Sequence, residues 1–147
     1  MLSKFMTIKK FCIYSILLIC CFNISANSKE NFFNEGVKLF KNKKYADSKF
    51  KFQQDIVFNP KSEIAYLYLA KIFKEEKNDN QEEQYLNTVI LLNPKNEEAV
   101  LNLAYLMIRK SNYDETKKLI DDFKNVCKNL CQKTLDLQNR LDTVLKK

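Results

Sequence analysis

Two apolar runs in this chain end the same way: Asp55-Ile56-Val57-Phe58-Asn59-Pro60 and Val89-Ile90-Leu91-Leu92-Asn93-Pro94. Each closes a stretch of helical period. Proline lacks an amide hydrogen and keeps the residue before it out of helical geometry, so each Asn-Pro is a helix stop. The interval from Pro60 to Pro94 is the period to test along the rest of the chain. Counting back from Pro60, Phe32, Gly36 and Leu39 or Phe40 share one face of a helix over about 30–42. The polar Lys41-Asn42-Lys43-Lys44 makes a turn, and a second helix over about 45–58 turns Tyr45, Ser48, Phe52 and Ile56 inward.

The plan then recurs. Ser62 is placed to cap a helix of about 63–77 with Ile64, Leu67, Ala70 and Phe73 among its apolar positions. Lys77-Asn78-Asp79-Asn80 turns the chain into a helix over 81–92 bearing Tyr85, Leu86, Val89 and Ile90. A third pair follows, over 97–110 with Val100, Leu103, Ala104 and Met107, then from about 113 with Tyr113, Leu119, Ile120 and Phe123. Gly36, Ala70 and Ala104 recur at the same interval as the prolines, where only a small residue lets two helix backbones approach. Beyond the third pair, Leu130, Thr134, Leu137, Leu141 and Val144 predict one more amphipathic helix, over about 130–146. It either caps the stack or continues the preceding helix as a rod; the period favours a break near Lys128-Asn129.

Three helix-turn-helix units of about 34 residues each resemble the tetratricopeptide repeat. The family pattern runs from an aromatic, through a Leu-Gly pair, a Tyr, a small residue and a second aromatic, to a closing Pro. Unit one carries Phe32, Gly36, Tyr45, Ser48, Phe52 and Pro60; unit two carries Tyr66, Leu69-Ala70, Phe73, Leu86 and Pro94. Unit three carries Leu103-Ala104 and Asn112-Tyr113-Asp114-Glu115. Departures are Glu35 in place of a Leu, Glu82 and Thr116 where a small residue packs, and no closing Pro in unit three. The resemblance implies an all-α, right-handed α-solenoid of three units (29–62, 63–96 and 97–128) with a capping helix over 129–147.

Composition agrees with an all-helical chain: one Gly and two Pro among 147 residues leave too few turn formers for an all-β fold. With no His, histidine-dependent triads and zinc proteases are excluded. Nothing resembles a phosphate-cradling loop or a paired-acid site, so the expectation is a non-enzymatic protein with no cofactor and no metal. The net charge of +7 falls to +4 once the three lysines of residues 1–26 are set aside. That modest excess, together with an export signal, argues against a nucleic-acid partner.

The export signal is read from residues 1–28. Lys4, Lys9 and Lys10 precede twelve uncharged residues, Phe11 to Phe22, and then the polar Asn23-Ile24-Ser25-Ala26-Asn27-Ser28. The apolar run is well short of the ~20 residues of a membrane-spanning helix. Cleavage after Ala26 or after Ser28 both fit. Rival readings are a lipid anchor on Cys20 or Cys21, against which Ile19 or Cys20 stands where a small residue is usual, and an uncleaved N-terminal anchor that associates with a membrane. Cleavage would leave Cys127 and Cys131 as the only cysteines. A turn between them would allow a disulfide bridge; otherwise they are two small apolar core residues.

The family's first helices line a concave groove that grips a peptide or protein partner. Carried over by position, this groove comprises Phe33, Asn34, Val37, Phe40 and Lys41 from unit one, and Leu67, Tyr68, Lys71 and Lys74 from unit two. Unit three adds Leu101, Asn102, Tyr105, Ile108 and Arg109. Aromatic and aliphatic ground with cations at its edge suits a segment with apolar anchors and some acidic residues. Phe33, Val37 and Tyr68 stand where one family variant carries a clamp for C-terminal carboxylates, so the resemblance implies no such clamp. The expected function is a scaffold or escort of the bacterial cell envelope or periplasm. Alternatives are a lipid- or membrane-anchored subunit of an envelope assembly factor, and a self-associating structural protein.

Overall fold

The computed structural model describes residues 26–146, with side chains from Phe32 onward. Residues 1–25, which hold nearly all of the expected export signal, lie outside it. Among the described residues there are seven helices and no strand: α1 (Ala26–Lys41), α2 (Tyr45–Phe58), α3 (Glu63–Glu75), α4 (Asp79–Leu92), α5 (Glu97–Arg109), α6 (Tyr113–Val126) and α7 (Lys133–Leu145). They pair as α1–α2, α3–α4 and α5–α6, each pair stacked on the next, with α7 against α5 and α6.

The turn inside each pair has one geometry. Lys43, Lys77 and Ser111, again one period apart, hold φ at 58°, 55° and 57°. Around Lys43, its own amide donates to the Phe40 carbonyl (2.9 Å) and the Lys44 amide to that of Leu39 (3.0 Å). The Lys77 and Ser111 turns repeat this pair of bonds, which satisfies the carbonyls left over where a helix ends. The following residue caps the next helix. Asn78 and Asn112 accept from the Gln81 and Glu115 amides at 3.2 and 3.3 Å. Lys44 holds the same place before α2 and makes no side-chain cap. Lys44→Asn is therefore expected to stabilise the protein by about 1 kcal/mol, read as a rise in the urea midpoint. An unchanged midpoint would contradict this account of the turns.

Capping departs from expectation at α3. Ser62 is the N-cap residue, yet its side chain makes no capping bond. Instead the adjacent Glu63 carboxylate accepts from the side-chain amides of Asn93 (2.9 Å) and Asn96 (3.5 Å), tying the start of unit two to its end.

The core forms two clusters. One gathers Phe52, Ala65, Leu69 and Ile72 between units one and two. The larger one runs from Leu67 and Ala70 through α4, α5 and α6 to Leu137 and Leu141 of α7. Tyr66 and Tyr85 pack against both and join them. Gly36, Ala70 and Ala104 are all buried, but at Gly36 the close neighbour is a ring rather than a backbone. A Cβ there would lie 2.8 Å from Phe52 Cε1. Five apolar residues from the sequence patterns face solvent instead: Phe58 and Ile64 are each 50% exposed, Val57 75%, Leu91 81% and Leu92 37%.

The third unit ends without Asn-Pro. α6 stops at Val126, and the chain turns through Cys127 and Cys131, whose Cα atoms lie 5.2 Å apart with the two sulfurs bonded. Within that loop the amides of Lys128, Asn129 and Leu130 donate to the Glu97 carboxylate at 2.6, 3.0 and 3.2 Å. These three donors hold Glu97 below the usual carboxylate range. Glu97 stands one period after Glu63, so equivalent acids hold both junctions. α7 then starts at Lys133, later than the apolar pattern from Leu130 suggested.

Candidate functional site

An aromatic cluster joins α1, α2 and α3. Tyr68 of α3 stacks on Phe52 with centroids 4.8 Å apart, and meets Phe40 and Phe33 of α1 edge-on at 5.2 and 6.0 Å. Val37 packs alongside, and the Lys71 ammonium lies 5.2 Å from the Tyr68 ring centroid. Phe33, Val37, Phe40 and Tyr68 are only half-buried, so one side of the cluster remains open to solvent.

One hollow adjoins it, and a second shares a lysine with the first. The first, about 250 Å³, is lined by Phe40, by Ala70, Lys71, Lys74 and Glu75 of α3, by Glu82 and Leu86 of α4, and by Glu98 and Asn102 of α5. Lys71 pairs with Glu98 at 2.7 Å. The second, about 380 Å³, shares Lys74 and adds Tyr105, Ile108 and Arg109 of α5 with Lys133, Asp136 and Arg140 of α7.

Glu82 is the most constrained group here. It is 2% exposed and stands in the small-residue series Ser48, Glu82, Thr116. Ser48 and Thr116 satisfy their hydroxyls on the Gly36 and Asn112 carbonyls. Glu82 instead meets the Arg109 guanidinium, which also reaches Asp79 at 3.1 Å. Burial raises the Glu82 carboxyl above its ordinary value even though Arg109 pulls it down. At the cap, the Tyr105 hydroxyl donates to Asp136, and Arg140 donates to the same carboxylate at 3.0 Å while lying over the Tyr105 ring. Burial and this bond push the Tyr105 phenol up to about 12. The Tyr105 bond, foremost, lowers the Asp136 carboxyl.

No family model matches the sequence, and no curated protein matches it. Solved structures do. A Yersinia enterocolitica type III secretion chaperone, SycD, solved with a peptide of the translocator YopD, superposes with a TM-score of 0.74 at 14% identity, over 85% of this chain and 99% of that one. The first TPR of Spaghetti (RPAP3), bound to the HSP90 peptide SRMEEVD, gives 0.73 at 17%, over 84% and 98%. The TPR2B domain of yeast Sti1 gives 0.74 at 14%, over 80% and 98%. The fold is that of a tetratricopeptide-repeat solenoid.

On this repeat frame the expected groove residues divide into four sets. Phe33, Val37, Phe40 and Tyr68 converge in the aromatic cluster, while Lys71, Lys74, Asn102, Tyr105, Ile108 and Arg109 line the hollows. Asn34 and Lys41 are exposed and line neither hollow. Leu67 and Leu101 are corrected to core residues: each is 7% exposed and packed in the larger cluster. Sequence reasoning missed Glu75, Glu98 and the three α7 residues. Lys133, Asp136 and Arg140 follow a spacing of three and four that marks one polar helix face, beside the stripe of Leu137 and Leu141. Nothing in the one-dimensional pattern says that this face turns toward α5.

Proposed function

We propose that this chain is a non-enzymatic protein-interaction module that takes a peptide or protein segment along its concave face. The observation that carries this reading is the cluster of half-exposed rings beside one hollow, which shares Lys74 with a second. Rings provide contact area at low entropic cost, and the charged rim provides register. Two similarly folded repeat proteins, SycD and Spaghetti, were solved with peptides, which supports the same use of this surface.

The proposed setting is the bacterial cell envelope, as scaffold or escort, on the strength of the basic–apolar–polar layout of residues 1–28. No described helix is long and apolar enough to cross a membrane. A photocrosslinking amino acid at Asn102, which lines the first hollow, is expected to trap a discrete partner in the envelope fraction. The same probe at the exposed Lys117 of α6 is expected to trap none. Identical adducts from both positions, or none from Asn102, would count against the groove. The mass of the mature protein decides the N-terminal question: a chain beginning at Asn27 or Lys29 supports a cleaved signal, and an intact Met1 removes it.

Self-association is the second reading. Val57-Phe58 and Leu91-Leu92 expose apolar pairs at equivalent places in units one and two, just before the prolines. If this stripe joins copies, Val57→Glu with Leu91→Glu will convert a dimer to a monomer in sedimentation; a monomeric parent protein discards the idea.

A further inference from the structure

The second hollow carries more charge than its own pairs satisfy. Four cations line it, Lys74, Arg109, Lys133 and Arg140, with one acid, Asp136. Arg109 is held by Glu82 and Asp79, and Arg140 by Asp136. Asp136 is further committed to the Tyr105 hydroxyl. Among the described residues, Lys74 and Lys133 form no ion pair; the Lys74 ammonium makes one side-chain contact, to the Asn102 amide oxygen at 3.4 Å. Two lysines from different elements, α3 and α7, thus border one hollow beside the half-buried Tyr105 ring and Ile108. Asp79, Glu82 and Asp136 stand against Arg109, Arg140, Lys74 and Lys133, so the group keeps one excess cation, and a carboxylate entering from outside meets net positive charge next to apolar ground.

We infer that this hollow, built jointly by the third repeat and the capping helix, anchors an acidic side chain of the bound segment, with Lys74 and Lys133 as its charge partners. The inference rests on the protein-interaction reading and sharpens it by giving the partner's chemistry and the place where it is read. It also gives α7 a second role. Leu137 and Leu141 close the core, while Lys133, Asp136 and Arg140 of the same helix form a wall of the hollow. Two separated lysines flanking a ring and an isoleucine suit a carboxylate on an apolar segment; tracking a phosphate backbone takes a continuous basic stripe.

The test uses fluorescence anisotropy with two labelled, C-terminally amidated octapeptides, one alternating Leu with Glu and the other Leu with Gln. Amidation removes the terminal carboxylate, so only acidic side chains are read. At low salt the Glu peptide is expected to bind about ten-fold tighter than the Gln peptide, the size of two partly exposed ion pairs together. Lys74→Gln with Lys133→Gln should abolish that preference. Lys117→Gln with Lys118→Gln, the same charge change on the exposed face of α6, should preserve it. Equal binding of the two peptides, or equal loss in the α6 control, overturns the inference; if Asn102 still traps a partner, the interaction reading survives. Failure of both peptides to bind, with no adduct at Asn102, sinks both together. A labelled dT octamer binding as tightly as the Glu peptide would assign the charge to polyanions in general and overturn the acidic-segment assignment.

Discussion

Phe52→Ala is expected to destabilise the protein by about 3–5 kcal/mol, the range for emptying a buried aromatic site. Phe52 is fully buried, stacks on Tyr68, meets Phe33 edge-on and fills the space that Gly36 leaves open. Its three fully buried partners among the described residues, Ala65, Leu69 and Ile72, all sit on α3, so the loss opens the seam between units one and two. In a solenoid each unit contacts only its neighbours, so the loss falls on unit one rather than on the whole chain. The expected urea melt is therefore biphasic: helicity of α1 and α2 goes first, and the α4–α6 core follows near the parent midpoint. Proteolysis should cleave the variant before Glu63 under conditions that leave the parent intact. A single cooperative transition shifted as a whole would show that the two core clusters are more tightly coupled than their contacts suggest.

Arg109→Met comes next in size, with a loss of about 2 kcal/mol at pH 7. Removing one partner of a fully buried ion pair costs about 3–5 kcal/mol; Arg109 is itself 38% exposed, so solvent screens part of that. The loss depends on pH in a defined direction. The folded state raises the Glu82 carboxyl above its ordinary 4.5, and without Arg109 it rises further. A raised carboxyl favours the protonated form in the folded state. Its contribution is intact below the unfolded value and is lost as pH rises through the folded one. The gap between parent and variant should therefore be small below about pH 4.5, where Glu82 is neutral in both states, and widen toward neutrality. Adding Glu82→Gln should recover much of the loss at pH 7, because no carboxylate is then left buried alone. A gap of the same size at pH 4 and pH 7 would show that Arg109 acts through packing alone.

The period was legible in the sequence because an Asn-Pro stop is backbone chemistry that needs no tertiary partner. The α7 helix was legible because Leu137, Leu141 and Val144 keep helical spacing. Exposure at single positions was not. Val57 and Leu91 sit in apolar runs and face solvent, whereas Leu67 and Leu101, one step away from groove positions on their helices, turn into the core. An apolar residue near a helix end can serve either face, and only the neighbouring helix decides. The charged wall of the second hollow was hidden for a related reason. Tyr105 and Asp136 are 31 residues apart and meet only once α7 folds back over α5. Glu82 stood out in the sequence as a flaw in the small-residue series. The structure makes it a paired acid instead, its arginine 27 residues away on the next unit.

The rungs between units hold one more consequence. Lys49 of α2 pairs with Glu76 after α3 at 2.7 Å, and one repeat later Glu83 of α4 pairs with Lys110 after α5. The positions are equivalent and the polarity is reversed. Identical repeats invite mispairing, because unit one could dock on unit three of another copy as readily as on its own neighbour. In such a slipped stack Lys49 would face Lys110, and Glu83 would face Glu76. The alternation thus sets like charges against a slipped stack, while each pair adds little to stability on its own.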